Sequence, residues 1–239
     1  MTLTLSFMTL FWILFLLIIL ISLLLTYLSM RDFEEGPQDF GAENGSFLIR
    51  KPHPLTAELF DFLYKVMRKD NVIISLERLF KGGESALVLY GPKKALSTLT
   101  QSLDLIELED YINGKDPNIW QIGTKTLGEY HKITKSIFAD FPKLLDGEQV
   151  WFQMVLQPDK KLRHFKGQIR AVSLSSDPRR KKQLSVALQT PKNQLLKLPL
   201  PFSSIQMIDF YKKRSIVGRT RIELTDGDII KIWSLPQSV

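Results

Sequence analysis

Three groups of cations are the densest chemistry in this sequence. Arg179, Arg180, Lys181 and Lys182 are consecutive; Lys160, Lys161, Arg163 and Lys166 surround His164 and Phe165; Lys212, Lys213 and Arg214 follow Phe210 and Tyr211. A solvated face accounts for any one such cluster, but three in one half point to an anionic partner: nucleic acid, lipid headgroups or an acidic protein face. The first group falls in the opening turn of a predicted helix, where the macrodipole disfavours cations. Four consecutive positions spread right around a helix, so some of them must face solvent.

The same sequence holds little that argues for catalysis. His53, His131 and His164 are scattered, with no partner at i+3 or i+4, and there is no cysteine, so no metal set is expected. Gly91-Pro92-Lys93-Lys94 and Gly114-Lys115-Asp116 lack the glycine spacing and the hydroxyl of a phosphate-cradling loop. Gly83-Glu84-Ser85 begins like a nucleophile elbow, yet Leu87 stands where glycine is needed, and a hairpin turn explains it better. Glu107, Glu109 and Asp110 read as a solvated strand end. The expectation is no catalytic residue, no cofactor, no metal and no small-molecule substrate, hence no enzyme.

Charge is unevenly divided. Residues 31–148 carry 15 Lys/Arg against 19 Asp/Glu, a balance of −4; residues 149–239 carry 17 against 6, a balance of +11. The absence of cysteine fits a reducing compartment.

What must position these groups begins with residues 7–27, an uncharged run of Leu, Ile and Phe without Pro or Gly. Such a run is just long enough to cross the roughly 30 Å hydrocarbon core as one helix. No Lys or Arg precedes it and no A-x-A pattern follows, so a permanent anchor is favoured over a cleaved signal peptide. Phe7 starts the run, and Trp12 and Tyr27 are candidates for the interfaces. Arg31, Arg50 and Lys51 follow it, which favours a cytoplasmic location for the rest of a single-pass cell-membrane protein. The anchor is assigned to residues 1–30. Residues 31–46, acidic and Gly-rich, read as a flexible linker.

Beyond the linker the periods alternate. Leu59, Phe60, Leu63, Val66 and Met67 have helical spacing; Val72, Ile74, Leu76 and Phe80 then alternate with Ser75 and Glu77 as a half-buried strand. Lys81-Gly82-Gly83-Glu84 is turn chemistry leading into a second strand, a short helix follows Gly91-Pro92, and 103–111 returns as a strand. This α-β-β-α-β order is most of a split βαβ unit over residues 47–115. A second, basic unit over 116–239 shows a possible strand at 119–126, a short helix at 132–141, and a clear strand at 149–157 that 168–174 could pair with. A helix follows from Asp177-Pro178 to about Gln189, residues 190–204 are irregular, and 219–224 with 229–235 form a hairpin around Asp226-Gly227. The expected class is α+β: a transmembrane helix, then two ferredoxin-like α/β units whose antiparallel or mixed sheets carry helices on one face.

Pro54-Leu55-Thr56-Ala57-Glu58-Leu59-Phe60 and Leu145-Asp146-Gly147-Glu148-Gln149-Val150-Trp151-Phe152-Gln153-Met154 carry a resemblance. They look like the domain that precedes the motor in bacterial type IV secretion and conjugative-transfer ATPases, where a Pro- and Ala-Glu-marked helix opens one α/β unit and an E-G-E-Q-V-W-x-Q strand closes a second. The similarity covers about residues 47–174. It implies a membrane-tethered, motor-less relative: a non-enzymatic scaffold or docking component of a bacterial transfer machine, partnered by the bilayer and by the transfer ATPase or another component. The alternative is a membrane-tethered nucleic-acid-binding protein that uses the basic half.

Overall fold

The computed structural model describes residues 7–32, 43–51, 54–109, 111, 118–123, 136–138, 141–159, 163–189, 196–197, 203–217 and 222–235. The chain divides into two compact units, one built on the first helix and one comprising Gly36–Ile216 with Thr220–Val239.

The first helix, α1, spans Phe7–Asp32. At 1.5 Å per residue its 26 residues extend about 39 Å. From Met8 to Tyr27 every side chain is exposed, so the helix is apolar on all sides and buries none of them within the protein. It is long and apolar enough to cross a membrane. Phe11, Trp12 and Phe15 touch near its start, Trp12 meeting both rings edge-on. The Thr26 hydroxyl donates to the Ser22 carbonyl at 2.8 Å, so even this polar group is satisfied within the helix.

In the second unit, β1 (Asn44–Ile49), α2 (Ala57–Asp70), β2 (Ile74–Lys81) and β3 (Glu84–Pro92) come first. Short turns α3 (Lys93–Leu96) and α4 (Thr100–Leu103) then lead to β4 (Leu105–Leu108). The remainder is β5 (Asn118–Gly123), β6 (Gln149–Pro158), β7 (Phe165–Leu174), α5 (Pro178–Gln189), β8 (Leu196–Lys197), α6 (Ser204–Lys213), β9 (Ile222–Leu224) and α7 (Asp226–Trp233). The sheet runs β4-β1-β3-β2-β6-β7-β5-β8, with β9 continuing beside β7, and every pairing is antiparallel.

Within each half the first strand lies beside the third, the third beside the second, and the fourth outside the first: β4-β1-β3-β2, then β8-β5-β7-β6. The halves meet where β2 pairs with β6, with Glu77 opposite Gln153. The sheet therefore continues across the expected boundary at 115–116.

Local chemistry accounts for the elements. The Thr56 hydroxyl caps α2 by accepting from the Leu59 amide, and Asn71 ends it with φ 52°. Its buried face is Leu59, Phe60, Leu63, Tyr64 and Met67, positions one and four apart. Gly82 takes φ 57° in the two-residue β2–β3 turn that sets Lys81 opposite Glu84. The main core joins α2 and Ile229, Ile232 and Trp233 of α7 to Leu76, Phe80, Phe152, Met154 and Ile169 of the sheet. Each such side chain contributes roughly 1.5–3 kcal/mol by burial.

Several sequence expectations need correction. Strand β1 begins at Asn44 and α1 continues to Asp32, so the linker is shorter at both ends than 31–46; Ser46 is held between Tyr90 of β3 and Leu108 of β4. Residues 226–233 are a helix, not the second strand of a hairpin. Thr225 and Asp228 form a reciprocal capping box, and Ile229, Ile232 and Trp233 repeat at helical spacing. The residues described within 132–141, at 136–138 and 141, are not helical, and the others lie outside the described residues. Helix α6, started by a Ser203–Gln206 capping box, had no counterpart in the sequence reading. It packs on the face of the sheet opposite α2 and α7, so the helices do not share one face: Tyr211 buries against Trp151 and Val172.

Candidate functional site

Strand alternation sends Ser75 and Glu77 of β2, Trp151 and Gln153 of β6, and Gln168, Arg170 and Val172 of β7 to the second face. The registers set Glu77 opposite Gln153 and Gln153 opposite Arg170, a polar row across three strands. Water would ordinarily solvate such a row; here α6 closes over it, and Ser75, Glu77, Gln153, Gln168 and Arg170 are all fully buried. The strand expected to be half-buried is thus covered on both faces.

Burial obliges each polar group to find a partner. Glu77 Oε1 accepts from Ser75 Oγ at 2.9 Å, Gln153 Nε2 at 3.1 Å and Arg214 Nε at 3.1 Å, while Oε2 accepts from the Tyr111 hydroxyl at 2.6 Å. Tyr111 and Tyr211 hydroxyls meet at 3.1 Å. Two arginines face one carboxylate, which leaves a surplus cation. The C-terminal end of α6 and the residues just after it offset it, because the carbonyls there form the negative end of the helix dipole. Arg170 donates to Phe210 O at 3.0 Å and to Ser215 O, as well as to Gln153 Oε1 at 3.1 Å and Gln168 Oε1 at 2.9 Å. Arg214 donates to Lys212 O at 3.0 Å and lies 4.0 Å over the Tyr90 ring. The layer locks α6 to the sheet.

Burial pulls the Arg170 guanidinium down to about 10, so it stays charged at neutral pH. Burial, then the Glu77 charge, pushes both Tyr111 and Tyr211 up, keeping them as neutral donors. Arg78 is the cation of the other face: it points into the core, 5.7 Å over Phe138, with Nη2 donating to Trp233 O at 3.5 Å. Burial lowers it to about 10.

The structure sorts the cation clusters sharply. Arg214 is withdrawn from any outside partner, being buried against Glu77 at 3.1 Å. Its position at the left-handed end of α6 (φ 50°) turns its side chain onto the sheet. Arg163 pairs with Asp61, Lys166 with Asp159 at 2.9 Å and Lys213 with Asp209 at 2.9 Å. Arg180 Nε pairs with buried Glu148 at 2.8 Å, and Arg180 also donates to Lys143 O at 2.8 Å. Burial works to raise the Glu148 carboxyl, but Arg180 and the Leu145 amide hold it below its usual range. Arg179, Lys182 and Lys212 remain exposed with no acidic partner among the described residues, and Lys181 is half-buried. Lys160 and Lys161 lie outside the described residues.

Other sequence candidates find structural employment. Glu84 and Ser85 sit at the β2–β3 turn, and Glu107 pairs with Lys93 at 2.8 Å, which also holds Glu43 at 2.6 Å. His164 is half-buried, its carbonyl accepting from the Asp159 amide at 2.9 Å. His53, His131 and Asp110 lie outside the described residues. A shallow cavity of about 240 Å³ opens on the second face, lined by Leu79, Lys81, Glu84, Tyr111, Gln149 and Trp151.

Glu77, Gln153, Arg170, Tyr111 and Tyr211 were not singled out from the sequence. The available signal was parity: Glu77, Gln153 and Arg170 occupy polar positions of alternating runs, which reads as a solvated face unless a covering helix is known. Compared with known proteins, the chain matches no family model and no curated protein.

Proposed function

We propose that this protein is a single-pass membrane scaffold whose α+β domain, on the cytoplasmic side, is a non-catalytic docking module of a type IV secretion or conjugation-like apparatus. The observation that carries the reading is the join of an all-apolar α1 to a domain whose two halves share one strand order. That order, first strand beside third and fourth outside first, supports two ferredoxin-like units built edge to edge. Arg31 at the end of α1 supports the cytoplasmic side.

The residues behind the resemblance have supporting roles in packing. Phe60 is in the core, Gly147 takes φ 81° in the turn before β6, Glu148 pairs with Arg180, and Gln153 bonds Glu77 and Arg170. Such residues specify a fold rather than a reaction. The nucleic-acid alternative draws less support, since within the three clusters the described exposed cations without an acidic partner are Arg179, Lys182 and Lys212, too few for strong phosphate binding by the clusters at physiological salt.

The test is chemical cross-linking in host membranes followed by detergent purification of the full chain. A P-loop ATPase or another protein of the transfer machine is expected among the cross-linked products. Recovery of DNA adducts in place of machine proteins would overturn the docking reading in favour of nucleic acid.

A further inference from the structure

Helix α5 turns one ridge outward. Leu184 and Ser185 are buried, whereas Arg179, Lys182, Gln183 and Val186, which share the opposite side of a 3.6-residue turn, are exposed. Arg180 stands on the flank of this ridge and binds the adjoining loop through Glu148 and Lys143 O. Glu148 in turn accepts from the Leu145 amide at 2.8 Å. That loop presents exposed Lys143 and Leu145. The result is one patch in which two large apolar side chains, Leu145 (56% exposed) and Val186 (59% exposed), stand among cations.

Outside α1, the described residues with large exposed hydrophobics are Ile106, Leu145, Val186, Ile205 and Leu235, and two of the five belong to this patch. Its acids are Asp146, Asp177 and Glu148. Glu148 is neutralised by Arg180, and Asp177 accepts from the Arg179 amide at 2.8 Å to cap α5. Against these stand Lys143, Arg179, Arg180 and Lys182, so the patch is cationic. Cations ringing protruding apolar side chains match a surface with an anionic layer over an apolar one.

We propose that the outward ridge of α5 and the 143–148 loop dock on the anionic lipid headgroups of the membrane that α1 enters. Arg179, Lys182 and Lys143 meet lipid phosphates, and Leu145 and Val186 reach into the headgroup layer. The proposal rests on the anchor reading of α1. The covalent link to α1 holds the patch at high effective concentration beside that surface, so a weak contact suffices.

The chain has no cysteine, which makes single-cysteine reporters clean. The full chain is reconstituted in phosphatidylcholine vesicles with or without phosphatidylglycerol, carrying a polarity-sensitive fluorophore on Leu145→Cys, Lys69→Cys or Leu20→Cys. The Leu145→Cys probe is expected to shift to the blue and to be quenched by brominated lipid only in the anionic vesicles. The shift should be lost in the Arg179→Glu/Lys182→Glu variant and at high salt, where headgroup attraction is screened. Both substitutions are at exposed positions, so the fold is retained, and the Lys69→Cys probe, exposed at the end of α2 that precedes the start of β2, should report water throughout. A Leu145→Cys probe that stays in water on anionic vesicles, or that enters neutral ones equally, overturns the proposal. A Leu20→Cys probe that escapes quenching in both vesicles shows instead that the anchor reading has failed and removes the proposal's footing.

Discussion

Glu77 is the residue on which the second face turns. It accepts four hydrogen bonds from Ser75, Gln153, Arg214 and Tyr111, from a position with no access to water. Removing one partner of a buried ion pair leaves the other charge uncompensated, at a cost of about 3–5 kcal/mol. Glu77→Ala is therefore expected to lower stability by that amount in denaturant unfolding of the full chain in detergent. Replacing both charges, as Glu77→Gln with Arg214→Met, should recover part of the loss, because neither ion is then stranded. A cost for Glu77→Ala below about 1 kcal/mol, typical of an exposed pair, would mean that α6 does not close over the layer. The parity of Glu77, Gln153 and Arg170 is visible in their alternating runs. Their burial is not, because it depends on α6, which follows a proline-containing run and starts 30 positions after β7 ends. The basic cluster at 212–214 misleads for the same reason: three neighbours in sequence take three roles, with Lys212 exposed, Lys213 paired to Asp209 and Arg214 buried.

At the scale of elements, short-range chemistry was legible where a single signal was present. The Gly82-Gly83 turn, the Asp177-Pro178 start of α5 and the alternation of β6 all have counterparts in the structure. Asp226-Gly227 carried two signals, a hairpin turn and a helix start, and the helix prevails. The Thr225–Asp228 capping box satisfies the first amides, and the apolar face of α7 finds a core to enter. The two alternatives disagree on one substitution. In a type I′ turn Gly227 would need a positive φ and alanine would be strained. In the first turn of α7 its φ is ordinary, and an added Cβ would meet nothing nearer than Thr225 Oγ1 at 3.8 Å. Gly227→Ala should then stabilise the protein by about 0.4–1 kcal/mol by restricting the unfolded chain. A shift of the unfolding midpoint in the other direction would restore the hairpin.

At the scale of the whole molecule, the α+β class and the N-terminal apolar helix were legible because composition and period carry them. The joining of the halves was not. It depends on β2 finding β6 across more than sixty intervening residues, and nothing in either strand's own sequence names its neighbour. What organises the molecule is the connection of α1, which has no place to bury its apolar surface in the protein, to a domain that buries its own. Alkaline carbonate extraction of membranes holding the full chain tests this most directly. The account predicts that the protein stays in the membrane fraction at the full 27.6 kDa and leaves only with detergent. Release into the carbonate supernatant, either intact or shortened by the loss of α1, would contradict it.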